Sequence, residues 1–203
     1  MPRQKRNSKI VIGVTGSFCS GKSTVAGILK KHGASVIDAD KLAHACIQPG
    51  SPAYKRIVSS FGRAVLTRKG EIDRSRLAKV VFNDVRKLRK LNAIIHPQVN
   101  LGIKRAIREA GPGIVVLDAP LLIEAGLSGI VDKLVVVNIS QNKQISRIQK
   151  ILKIPRAQII KRIKCQMPLK VKVRLADFVI DNDGKLEKTR RQVAELLRNL
   201  RRG

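Results

Sequence analysis

Residues 10–24 read IVIGVTGSFCSGKST, and this stretch decides the fold. Ile10–Thr15 is β-prone and nearly continuous in apolar side chains, the pattern of a strand buried on both faces. At Gly16 begins the spacing of a glycine, four residues and then Gly21-Lys22-Ser23. Successive backbone N–H groups of such a loop point inward at phosphates, helped by the N-terminus of the helix that follows. Gly16 and Gly21 permit the tight turn, and Cys19, Ser20 and Thr24 complete the cradle. Lys22 reaches the β- and γ-phosphates of a nucleoside triphosphate, and Ser23 is placed to ligate Mg²⁺. Ser17 and Cys19 stand where such loops often prefer glycine, and serine at 17 costs strain if its backbone needs φ > 0. Cys19, beside Lys22 and a helix N-terminus, sits in a setting that lowers a thiol pKa; the alternative is a small residue that the loop merely tolerates.

Outward from the loop, the chain alternates strands and helices. A helix is expected from Ser23 to His32, ending at Gly33, and a strand over residues 34–38. Residues 41–111 carry no convincing strand. Helical patterns there cover 52–61, 74–82 and 84–95, and Pro97 opens another helix to about Ala110. Further strands follow at 114–117, 133–139 and 178–181, and a last helix runs from about Lys185 to Arg201. This predicts an α/β, P-loop NTPase-type three-layer fold with a five-stranded, mainly parallel sheet. The nucleotide-binding core takes residues 10–48, 112–140 and 175–203, with a basic tail at 1–9 and a helical insertion at 49–111. Residues 141–174 hold eleven Lys/Arg and no acid. Ile145, Ile148, Ile151 and Leu152, then Ile159, Ile160 and Ile163, fall at helical spacing. A basic helical hairpin results, either a solvated face or a lid over phosphates.

Composition narrows the class. Over 203 residues, 42 Lys+Arg face 14 Asp+Glu, a net charge of +28 that attracts polyanions. One Tyr, four Phe and no Trp are too few for a base-stacking platform, so no specific nucleic-acid partner is expected. No apolar run reaches membrane-spanning length, and three scattered cysteines fit a reducing compartment, so a cytoplasmic protein is expected, monomeric or weakly self-associating.

Two carboxylates end the second strand, in Asp38-Ala39-Asp40. Ligands of an open α/β sheet bind beyond the carboxyl ends of its strands, where a carboxylate can orient an acceptor hydroxyl and take its proton. Asp40 is assigned as that base and Asp38 as a supporting group, against the alternative that they cap the next helix. Asp118, at the end of the third strand, either holds Mg²⁺ with Ser23 or caps a turn.

The succession GSFCSGKSTVA, VIDAD, GEIDRSRL, LNAIIHPQV, DAPLLIEAGL, RIKCQMP and ADFVIDNDG resembles the dephospho-CoA kinase family from Ile10 nearly to the end. Asp73-Arg74, His96-Pro97 and Pro120-Leu121-Leu122-x-Glu124 at these spacings are its specific part. The resemblance implies ATP-dependent phosphorylation of the ribose 3′-hydroxyl of dephospho-CoA, with Asp40 as base and Lys22 stabilising the transferred group. It makes the insertion the CoA-binding domain and puts Asn182 in the adenine-side loop. It sets Arg74 against an acceptor phosphate, a carboxylate or a helix-start ion pair, and His96 against the acceptor or the helix start at Pro97. Leu121 falls on the acceptor side, and Glu124 either there or in a pair with a nearby arginine. Where the family has a lid arginine this chain has Ile151, so Arg147, Lys150 or Lys153 is expected to substitute. A kinase of another small hydroxylated metabolite and a basic RNA-binding ATPase are the competing readings.

Overall fold

In the computed structural model, residues 9–82 and 84–202 are described; the basic tail before Lys9 lies outside the described residues. β1 (Lys9–Gly16) is the middle strand of five, in the order β2-β3-β1-β4-β5. The others are β2 (Ser35–Asp38), β3 (Gly113–Asp118), β4 (Lys133–Asn138) and β5 (Phe178–Asp181). Its parallel ladders with β3 on one side and β4 on the other explain the unbroken apolar run, and β4 pairs in parallel with β5. On one face Ile12 and Val14 join Val116, Val135 and Val137 in a core closed by α1 (Lys22–Lys31) and α9 (Leu186–Arg202). Each such aliphatic side chain, fully buried, contributes about 1.5–3 kcal/mol. The other face crowds Gly13, where a Cβ would stand 2.5 Å from Leu122 Cδ1.

The chain divides into two compact units, one ending at Ile37 and resuming at Glu109, the other Asp38–Arg108. The second unit is helical: α2 (Ala39–Cys46), α3 (Pro52–Phe61), α4 (Arg74–Phe82) and α5, which starts at Val85. Ala53, Ile57, Val65, Leu77, Val81, Leu91 and Ile94 form its core. Its helix starts follow capping chemistry: Ser51 Oγ accepts from Tyr54 N, and Asp73 Oδ1 from the amides of Ser75 and Arg76.

Helix α2, anticipated only through the capping alternative for Asp38 and Asp40, is capped by Asp38. One expectation needs correction here. Pro97 does not open a helix; α5 runs from Val85 to Glu109 with Pro97 inside. Leu91, Ile94, Val99 and Ile103 are buried on both sides of the proline. The carbonyl that Pro97 leaves without a donor belongs to Ala93, an exposed residue that water can reach.

Residues 141–174 make three helices rather than a hairpin: α6 (Gln141–Leu152), α7 (Arg156–Lys164) and α8 (Leu169–Leu175). Ile145, Ile148 and Ile159 are buried, and Phe18 and Cys19 of the loop after β1 pack against them. Ile151, 63% exposed, is not part of that seam. Lys153 ends α6 in the left-handed region at φ 50. Glycine adopts that conformation without the Cβ penalty of about 1–2 kcal/mol. Lys153→Gly is therefore expected to raise the melting temperature by about 2–4 °C, measured by calorimetry.

Candidate active site

The loop between β1 and α1 opens onto a cavity of about 450 Å³. Gly21, Lys22, Ser23 and Thr24 line it from the loop and α1, Arg147 and Ile151 from α6, and Asn182 and Leu186 from the segment after β5. Gly21 N-caps α1 at φ 97, no side chain caps that helix, and its first turn holds no acid. The positive end of α1 is thus left for an anion, the fit a phosphate requires. Lys22 is 8% exposed, and its Nζ donates to the Ser17 carbonyl at 3.1 Å. Among the described residues Ser20 Oγ is buried without a hydrogen-bond partner, a donor that a phosphate oxygen would satisfy.

Asn182 holds the loop from the far side. Its Nδ2 donates to the Ser20 carbonyl at 2.7 Å, while its Oδ1 accepts from buried Thr189 at 3.0 Å. The Arg147 guanidinium lies 3.4 Å from the Ser20 carbonyl and 3.5 Å from that of Asn182, a loose fork that leaves it able to turn to a ligand. Lys150 is exposed and does not line the cavity. Next to Asn182, Asp181 is held below the usual carboxylate range by its hydrogen bond from Lys188 and by the amide of Asp183.

The odd letters of the loop resolve differently from expectation. Ser17 does not carry the positive φ; Cys19 does, at φ 56. Ser17 is buried, and its hydroxyl accepts from Gln144 Nε2 at 2.8 Å, a bond that glycine could not make. The Cys19 thiol is not activated. Burial pushes its pKa up, outweighing the pull of Lys22, Arg147 and Arg162. With Cys46 and Cys165 it is a free cysteine.

Asp118 pairs with Val14 across the β3–β1 ladder, so its carboxylate belongs to the strand ends that carry the loop. Thr15 Oγ1 donates to the Pro120 carbonyl at 3.1 Å. Leu121 is 45% exposed. Glu124 is in an ion pair, but with a lysine rather than an arginine: Lys172 Nζ lies 2.9 Å from its Oε1. In the other unit Asp38 Oδ1 accepts from Lys41 N at 3.0 Å, the capping role weighed against a ligand role. Asp40 is exposed in the first turn of α2. Arg74 is exposed at the start of α4, where the ion pair of Asp73 goes to Arg76 instead. His96 is half-buried in α5. A second cavity, of about 470 Å³, is lined by Lys55, Arg56, Ser59, Ser60 and Lys90, none of them singled out by sequence.

The model of the dephospho-CoA kinase family matches residues 10–188. The chain belongs to the dephospho-CoA kinase family. It is 44% identical to the dephospho-CoA kinase of Carboxydothermus hydrogenoformans over 190 residues, 92% of each chain. With that of Geobacillus kaustophilus it shares 43% over 192 residues, 93% of this chain and 96% of the relative. Among solved structures, the Campylobacter jejuni dephospho-CoA kinase superposes with a TM-score of 0.70 at 25% identity, covering 95% of this chain and 97% of its own. A shikimate kinase from Bacteroides thetaiotaomicron shares the fold, at 13% identity and a TM-score of 0.53 over 93% of this chain and 98% of its own. The chain is thus an ATP-using dephospho-CoA kinase, which sets aside the readings as a kinase of another metabolite and as an RNA-binding ATPase. Among the described residues no helix is long and apolar enough to cross a membrane.

Sequence reasoning missed the side chains that brace this kinase's loop. Gln144 and Gln166 reach it from the basic segment, Gln166 Oε1 accepting from Phe18 N at 2.8 Å. Gln144 belongs to no motif, and Gln166 lies within RIKCQMP, a stretch that does not announce its bond to Phe18. Thr189 was equally silent, although its seven-residue spacing from Asn182 across the start of α9 is compatible with contact.

Proposed function

We propose that the protein transfers the γ-phosphoryl group of ATP to the ribose 3′-hydroxyl of dephospho-CoA, giving CoA and ADP. The observation that carries this reading is the cavity in which the uncapped N-terminus of α1, Lys22 and Arg147 face one space. ATP phosphates lie in the cradle of Gly16, Cys19, Ser20, Gly21 and Thr24, and Lys22 and Arg147 offset charge on the transferring group. Lys150, one turn of α6 from Arg147 on an exposed side chain, adds a long-range cation rather than a contact. Asn182 and Leu186 border the base end of the cavity. Ser23 and Asp118 would hold Mg²⁺, which would supply positive charge to offset that of the phosphates. Asp40 accepts the hydroxyl proton, while Asp38 sets the first turn of α2. Arg74, His96 and Leu121 are assigned to the acceptor. Glu124 is assigned to its pair with Lys172.

The test is an acceptor panel in a coupled ADP assay with dephospho-CoA, shikimate, nucleosides and RNA offered separately. ADP release is expected with dephospho-CoA alone, with CoA as the product by mass spectrometry. RNA-stimulated hydrolysis without a phosphorylated metabolite would overturn the reading.

A further inference from the structure

Lys172 belongs by sequence to the basic run of residues 141–174, yet it has no solvent exposure. An ammonium is kept out of water only where its charge and its donors are met. Its Nζ donates to the Pro120 carbonyl at 2.7 Å and to Glu124 Oε1 at 2.9 Å. The same Pro120 carbonyl accepts from Thr15, the residue before Gly16. The same Glu124 oxygen accepts from Met167 N at 3.0 Å, and the adjacent Gln166 holds Phe18 N. The path leaves the phosphate loop at Thr15 and returns to it at Phe18, with Lys172 as the charged link.

We propose that Lys172 is a positioning residue for the ATP phosphate loop, fixing the turn Ser17–Cys19 through Pro120 on one side and Glu124, Met167 and Gln166 on the other. The next residue shows why such bracing is needed. Cys19 is held at φ 56, a conformation that costs a non-glycine residue free energy and persists only when its surroundings over-determine it. A cradle of backbone N–H groups also works only at hydrogen-bond distance, so a displacement of about 1 Å weakens it strongly. The inference rests on the reading that this loop holds the phosphates of ATP.

Two variants cut the circuit at different points. Lys172→Met with Glu124→Gln removes both charges together, so neither is left without its counter-charge, and the amide oxygen still accepts from Met167 N. Gln166→Leu removes the acceptor of Phe18 N at a half-buried position. For both, the dissociation constant of a non-hydrolysable ATP analogue by calorimetry, and KM for ATP, are expected to rise about tenfold. KM for dephospho-CoA should stay within about twofold, a split that a general loss of stability does not produce. Wild-type analogue affinity in Gln166→Leu, or in a folded double variant, overturns the inference while the nucleotide site stands. A wild-type protein that does not bind the analogue removes the site reading and the inference with it.

Discussion

Gly21→Ala is expected to lower the affinity for an ATP analogue at least a hundredfold and to reduce the melting temperature by roughly 10 °C. Gly21 lies at φ +97, where a Cβ costs about 1–2 kcal/mol. That Cβ would stand 1.9 Å from Asn182 Nδ2 and 3.2 Å from an Arg147 nitrogen. Asn182 cannot step aside cheaply, because its amide is tied to the Ser20 carbonyl and to Thr189, and both Asn182 and Thr189 are buried. Moving it leaves buried polar groups unpaired at about 1–3 kcal/mol each. Two terms thus add, one from the backbone and one from the displaced asparagine. The double variant Gly21→Ala, Asn182→Gly removes the clash and keeps the φ penalty. It should stay short of the wild-type melting temperature and remain defective in binding, since the brace on Ser20 is gone. Gly27, within α1, has nothing within 4 Å of a Cβ, so Gly27→Ala serves as the control and should gain about 1 kcal/mol. Equal loss in both variants, read by calorimetry, would refute the specific role of position 21.

The contrast between these two glycines bears on what a sequence discloses. The spacing of Gly16, Gly21 and Lys22 is local, and a loop between a buried strand and a helix follows from it without knowledge of the rest of the chain. β1 was legible for the same reason, because a strand flanked by β3 and β4 must be apolar on both faces. What holds the loop was only partly legible. Gln144, Gln166 and Asn182 meet it from 126 to 162 residues away; the resemblance put Asn182 in the adenine-side loop, but no periodicity or charge pattern announces that these amides brace Ser17, Phe18 and Ser20. Lys172 was not singled out within the basic run, and only the Glu124 partner and the Pro120 carbonyl distinguish it from its exposed neighbours. Pro97 failed in the opposite direction, as a strong local breaker overridden by apolar packing on both sides of it. Cys19 shows the same limit at the level of one group, where proximity to Lys22 was visible and the larger effect of burial was not.

Asp40→Asn is expected to lower kcat by about 10²–10⁴-fold while the affinity for an ATP analogue stays near wild type. An amide is nearly isosteric with the carboxylate and can still orient a hydroxyl, but it cannot take the proton as the phosphoryl group transfers. Asp38 and Asp40 stand two residues apart, so the prediction must separate them, and their local geometry does so. Asp38 is the N-cap of α2, accepting from Lys41 N at 3.0 Å. Asparagine caps a helix about as well as aspartate, so Asp38→Asn should retain most activity and stability. Asp38→Ala removes the cap and should cost about 1 kcal/mol of stability. Asp40, in the first turn of the same helix, does not serve as its N-cap, and its side chain is exposed. The single-turnover rate in each of the three variants, beside its melting temperature, decides the assignment. A fall in rate for Asp38→Asn with an unchanged Asp40→Asn would transfer the base to Asp38. If neither asparagine variant slows the chemical step, neither residue of the pair takes the proton, and the acceptor hydroxyl loses it to solvent after the phosphoryl group has moved.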